Sequence, residues 1–83
     1  MQEQLARLEA TLAAMPPVRA MGIAVVAYED QQLTLGAPLA ANLNDKGNAF
    51  GGSLASILTL SGWGLVSLEL AAAGLQADVY VAD

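Results

Sequence analysis

Between Asn42 and Leu54 the chain reads Asn42-Leu43-Asn44-Asp45-Lys46-Gly47-Asn48-Ala49-Phe50-Gly51-Gly52-Ser53-Leu54. This is the one stretch whose residue types and spacing could do chemistry. A polar, turn-forming loop runs into a double glycine, and the double glycine opens a long uncharged helix. That layout aims backbone N–H groups and the positive end of a helix dipole at whatever lies in front of Gly51. It suits a carbonyl oxygen that gains negative charge in a reaction, or a phosphate. Little else in the chain is reactive: it has no Cys and no His, and no paired carboxylates at short helical spacing.

The elements that must position this stretch follow from periodicity. Leu5, Leu8, Leu12 and Met15 recur at three- and four-residue spacing, so residues 2–15 are expected to form a helix with one apolar face. Glu3 lies in its first turn, where negative charge is favourable. Pro16-Pro17 is expected to stop it. Residues 21–28 read as a strand, Glu29-Asp30-Gln31-Gln32 as a polar turn, and Leu33 to Ala37 as the returning strand of a hairpin. Pro38 ends that strand, and a loop follows to residue 49. Residues 51–73 read as a long helix closed by Gly74. Ser53, Ser56 and Thr59 form a narrow polar stripe on it. Gly62 and Gly64 flank Trp63 inside it. Each costs about 1 kcal/mol relative to Ala, so a close approach by another backbone is expected there. Residues 77–82 alternate as a third strand.

Composition narrows the function classes. At 83 residues the chain holds at most one domain. Of its residues 55% are hydrophobic, above the usual share of roughly 45–50%. A chain this short buries only roughly 60–65% of its unfolded surface, so oligomerisation, membrane insertion or an incomplete domain is implied. The helix at 51–73 is apolar nearly all round and must be covered on most sides. One hairpin and one further strand cannot do that, so the sheet is expected to be incomplete in this chain. Eight acidic against three basic residues give a net charge of −5, which argues against nucleic acid, whose phosphates call for clustered Lys and Arg. The absence of Cys removes disulfides and thiolate metal sites and fits a cytosolic protein. No metal site and no cofactor are expected.

The uncharged run from Gly47 to Leu68 is long enough to cross a bilayer. Its several Ser, Thr and Gly residues, the lack of a flanking basic cluster and the strand-like neighbours favour a buried helix over a membrane span.

On the residues Arg19-Ala20-Met21-Gly22, Leu33-Thr34-Leu35, Ala37-Pro38-Leu39, Asn42, Asn44-Asp45-Lys46-Gly47, Ala49-Phe50-Gly51-Gly52-Ser53-Leu54 and Gly62-Trp63-Gly64, the sequence resembles the hot-dog-fold thioesterases. More narrowly it resembles the thioesterase domain fused behind an acetyltransferase domain in some bacteria, the YiiD C-terminal type. The resemblance implies an α+β hot-dog fold, a long central helix wrapped by a curved antiparallel sheet, in which residues 1–83 form a single, incomplete domain truncated after the third strand. It also implies pairing into homodimers or higher homo-oligomers that act on acyl thioesters of coenzyme A or acyl carrier protein.

Carried over residue by residue, Gly51 matches the position whose N–H faces the thioester oxygen, and Asn44 a polar position that orients water or substrate. Gly47 matches the glycine that tightens the loop, and Gly52 one that permits close approach of substrate. Ser53 stands as a hydrogen-bond donor to substrate or an early-turn cap. Asn44 and Asp45 could equally serve to turn the loop, and Gly51-Gly52 could answer only a steric need of helix–sheet contact. Phe50 stands where many such enzymes carry His, and Thr59 where many carry a carboxylate. Thr59 can hydrogen-bond a water but is a poor base at neutral pH. The expected function is acyl-thioester hydrolysis with Asn44, Gly51 and Thr59 as catalytic residues and Gly47, Phe50, Gly52 and Ser53 holding substrate. The alternatives are a non-catalytic acyl-thioester binding or dimerisation module and a small membrane protein.

Overall fold

The structure is a computed structural model, and it describes residues 2–75 and Val79. Helix α1 spans Gln2–Ala13 and buries Leu8 and Leu12, as its leucine spacing requires. Its Glu3–Arg7 ion pair, at 3.3 Å, is solvent-exposed and contributes little.

Helix α1 stops before Pro16-Pro17, as expected, though at Ala13 and not Met15, and the prolines have a second role that was not expected from the sequence. They open a second helix, α2 (Pro16–Met21), occupying its first turn, where a missing N–H leaves no bond unmade. The Arg19 guanidinium donates to the Ala13 carbonyl at 2.8 Å, which ties the two helices together end to end. Gly22 closes α2 in the left-handed region at φ 68°. A Cβ there would also lie 2.9 Å from Cδ of Pro38. The strand expected from residue 21 therefore begins only at residue 24.

Strand β1 (Ala24–Glu29) and strand β2 (Gln32–Gly36) form an antiparallel hairpin. The pairing runs from Ala24 opposite Gly36 to Glu29 opposite Gln32, with a bulge between Val25 and Ala27. Asp30 and Gln31 make a two-residue turn with φ of 49° and 62°, the double left-handed geometry that matches strand twist. Val25, Tyr28, Leu33 and Leu35 pack towards the core.

Helix α3 (Gly51–Ala72) crosses this layer, packed on β2 and α1. Gly74, at φ 75°, follows its end. The core is small: Leu8, Leu12, Val18, Ile23 and Leu68 are buried. Gly64 is buried too, and a Cβ on it would lie 2.8 Å from Leu33 and 3.4 Å from Leu8. The neighbours that need a glycine are thus leucine side chains, where another backbone was expected. Among the described residues a Cβ on Gly62 would meet nothing within 4 Å, and nothing there explains this glycine.

Only Ser53, Gly64 and Leu68 of the 22 residues of α3 are buried. Leu58 is 75% exposed and Leu54 51%, so the under-covered helix expected from the sequence is present. By length and composition α3 could cross a membrane, a test that the core helices of soluble proteins also pass. The expected third strand lies outside the described residues, apart from Val79, whose carbonyl accepts a bond from the Trp63 indole at 3.1 Å.

At the far end of α3 the Tyr28 hydroxyl donates to the Glu69 carboxylate at 2.7 Å. That hydrogen bond, with desolvation and the negative charge of Glu69, raises the tyrosine's pKa above its ordinary 10.0. The folded state therefore holds this proton more tightly than the unfolded chain. The associated stability is fully present below pH 10.0 and is lost as pH rises through the higher folded value. Chemical denaturation on either side of pH 10.0 should show an alkaline loss that Tyr28→Phe reduces. An equal alkaline slope in the variant would remove the pair from this role.

Candidate active site at the opening of α3

The loop before α3 is built by its asparagines. Asn42 is only 7% exposed. Its side-chain amide donates to the Met21 carbonyl at 2.8 Å and the Pro38 carbonyl at 2.7 Å. Its own carbonyl accepts the Phe50 N–H at 2.7 Å. One residue thus fixes the end of α2, the start of the Leu39–Ala41 3-10 turn and the start of α3 relative to one another.

Asn44 organises the loop from within. Its Oδ1 accepts the N–H groups of Lys46 at 2.9 Å and Asn48 at 3.0 Å. In the main chain, the Asn44 N–H donates to the Asn48 carbonyl at 2.7 Å, and the Asn44 carbonyl accepts the Gly47 N–H at 3.1 Å. Gly47 sits at φ 78°, where a side chain would be strained. Of the two roles open to Asn44 in the sequence, the turn-forming one is visible in these bonds. Its Oδ1 is committed to the loop. Asp45 lies at the exposed tip of the same turn.

This scaffold delivers Phe50 in an extended conformation (φ −71°, ψ 126°) as the residue before α3, with no side-chain cap. The Phe50 N–H is taken by Asn42, and the first turn closes with the Leu54 N–H on the Phe50 carbonyl. Among the described residues, the N–H groups of Gly51, Gly52 and Ser53 have neither a backbone partner nor a side-chain cap. Ser53 is therefore not the cap that the sequence left open as its role. These three amides sit at the positive end of a 22-residue helix, where the dipole adds to the attraction for an anion or a developing oxyanion.

The double glycine divides into two cases. At Gly52 the nearest atoms to an added Cβ are those of the Phe50 ring, which lies against it. At Gly51 a Cβ would meet nothing within 4 Å. Among the described residues, neither glycine answers a contact with the sheet.

Beside these amides runs a groove between α2 and α3. Its near part, about 450 Å³, is lined by Phe50, Gly52, Ser53, Ser56, Pro17 and Met21 among others. Its far part, about 630 Å³, shares Pro17, Met21 and Ser56 and continues to Met15, Thr59 and Leu60. The structure thus gathers Phe50, Gly52 and Ser53 on one cavity, which shares three lining residues with the next. Thr59 lies further along, eight residues from Gly51, or about 12 Å down the helix axis. Asn44 and Gly47 support the loop and do not line the groove. Sequence reasoning gave Asn42 no role of its own and left out Met15, Pro17 and Met21. The prolines and methionines enter the site only because α2 is a helix, which periodicity over six residues could not reveal.

The comparisons with known proteins agree with this architecture. A family model described as "Putative thioesterase (yiiD_Cterm)" matches residues 5–83. The chain belongs to this family. A crystal structure of a putative thioesterase from Shewanella oneidensis is 39% identical, with a TM-score of 0.89 over 100% of this chain and 62% of that one. A crystal structure of a protein of unknown function from Chlorobaculum tepidum is 33% identical, with a TM-score of 0.80 over 87% of this chain and 45% of that one. The chain thus spans less than two thirds of the length of either. The fold is the α+β hot-dog arrangement of this thioesterase family, with the long helix and a two-stranded antiparallel sheet among the described residues.

Proposed function

We propose that this protein hydrolyses acyl thioesters, carried by coenzyme A or by an acyl carrier protein, as a cytoplasmic homodimer or higher homo-oligomer. The observation that carries the reading is the set of three uncapped amides at the opening of α3 beside an apolar groove. Membership of a thioesterase family supports it. Water attacks the thioester carbonyl carbon. The carbonyl oxygen becomes an oxyanion held by the Gly51 N–H and its neighbours, and collapse of the intermediate breaks the C–S bond. The products are a carboxylic acid and a thiol that takes up a proton. Asn44 acts through the loop it braces, which positions the opening of α3 towards the substrate. Phe50, Gly52 and Ser53 hold the portion of the substrate next to the thioester.

The base that accepts the water's proton lies outside this arrangement. Glu69 is the one acid of α3. It stands eighteen residues beyond Gly51, about 27 Å along the axis, and it is bonded to Tyr28. Thr59 can orient a water but does not remove its proton at neutral pH. In this reading a second copy of the chain, or a segment beyond the described residues, supplies the base.

Phe50 and Thr59, in place of an imidazole and a carboxylate, favour a second reading: an acyl-thioester binding module without turnover. Equal release of free thiol and carboxylic acid from an acyl-CoA by the purified protein is the expected result. Saturable binding with no thiol released would replace the hydrolase by the binding module.

A further inference from the structure

The serines of α3 differ in where their hydroxyls go. Ser56, Ser61 and Ser67 each donate to the carbonyl four residues back, those of Gly52, Ile57 and Trp63, at 2.8, 2.7 and 2.9 Å. Ser53 has no helical carbonyl to use in this way, because the residue four back is Ala49, which precedes the helix. Among the described residues its hydroxyl has no hydrogen-bond partner. Yet Ser53 is only 5% exposed, and it lines the cavity that Phe50 and Gly52 also line. A buried hydroxyl without a partner is destabilising, so a group that enters this cavity and accepts its proton removes a cost the free protein carries.

The same residue supplies one of the three uncapped amides at the opening of α3. Residues 51–53 therefore present four donors, three N–H and one O–H, and no acceptor among the described residues takes them. No charged side chain lines the cavity. Glu69, the acid of α3, is bonded to Tyr28 near the other end of the helix, and Asp45 and Lys46 lie on the exposed loop tip. The local field is then that of the helix dipole, positive at this end. It favours an anion, and one of single charge, since no basic side chain is there to balance a second.

We infer that the opening of α3 binds the carboxylate of a free aliphatic acid, with the Ser53 hydroxyl as a donor beside the amides of Gly51, Gly52 and Ser53. A carboxylate brings two oxygens with about four lone-pair sites to these donors, and its bonds are about twice as strong as those of a neutral carbonyl. The acid released by thioester hydrolysis is such a ligand, so the product competes with fresh substrate for the site. This regulatory consequence rests on the thioesterase reading; the binding of a carboxylate does not.

The probes are octanoate and its neutral isostere octanamide, titrated into the protein and followed by amide chemical shifts. Octanoate is expected to bind about tenfold more tightly than octanamide, or better. Ser53→Ala breaks no bond among the described residues and puts a stronger helix former in place. It should weaken octanoate about tenfold and octanamide about threefold. Ala41 is exposed and lines the same cavity, so a charge can be placed there without disturbing the core. Ala41→Asp should weaken octanoate, and Ala41→Lys strengthen it, by about threefold each, with octanamide unmoved. No binding of octanoate, equal binding of the two probes, or octanoate binding that none of the variants alters overturns the inference. Thiol release from octanoyl-CoA gives the separate readout on the hydrolase. A KM that rises with added octanoate at constant kcat supports occupation by product. Thiol release indifferent to octanoate removes the inference and leaves the hydrolase. Octanoate binding with the expected variant responses, but without thiol release, keeps the carboxylate site and removes the hydrolase.

Discussion

Gly51→Val is expected to lower kcat for thioester hydrolysis by up to about 100- to 1,000-fold, the cost of denying the oxyanion a donor, because the N–H is retained but its approach is obstructed, while the protein stays folded. The reasoning rests on a contrast between adjacent residues. At Gly52 a side chain would collide with the Phe50 ring, so a loss of activity there could come from a displaced loop. At Gly51 a Cβ meets nothing within 4 Å and the backbone conformation is an ordinary helical one. The chain itself has no need of a glycine at this position. In the proposed reading, a branched side chain there obstructs the approach of the carbonyl to the three uncapped amides. Turnover by the variant, measured with circular dichroism and thermal melting alongside, separates the outcomes. Full activity in a folded variant would show that the carbonyl does not approach past Gly51.

The second large effect concerns stability. Asn42→Ala is expected to destabilise the fold by about 2 kcal/mol, read as a lower denaturation midpoint. The substitution leaves the Met21 and Pro38 carbonyls without the donor that Asn42 provides to each, in a site where the side chain is buried. Among the described residues the buried Asn42 Oδ1 has no partner, so alanine also removes one unsatisfied acceptor, and this keeps the cost from rising further. Asn42→Asp should be worse than alanine above the carboxylate's pKa, because it sets a negative oxygen against two carbonyls. An unchanged midpoint in Asn42→Ala would mean that the junction of α2, the 3-10 turn and α3 is held by the main chain alone.

Much of this fold is local enough to be legible in the residues. The leucine spacing of α1 and the alternation of the hairpin each state which face is buried, because helices and strands repeat with different periods. The bulge at Val26 was hidden, since an extra residue leaves the apolar pattern readable on both sides. Pro16-Pro17 was ambiguous: the same two rings end one helix and begin another, and only the return of the chain onto α1 decides between them. The site was legible where it depends on the backbone of the 42–54 stretch and hidden where it depends on distant partners. The polar loop and double glycine announce an open helix terminus. The Asn42 clamp, by contrast, depends on a carbonyl twenty-one residues away, and the groove depends on α2. Gly62 and Gly64 look alike in sequence, yet Gly64 faces leucines and Gly62 meets nothing among the described residues.

The central claim is that the thioester carbonyl is received by the amides that open α3. Nuclear magnetic resonance on isotope-labelled protein, titrated with the ketone analogue of an acyl-CoA, tests it most directly. The account predicts saturable downfield shifts concentrated on the amide protons of Gly51, Gly52 and Ser53. Binding that leaves those three resonances in place, and shifts amides elsewhere in the chain, would contradict it.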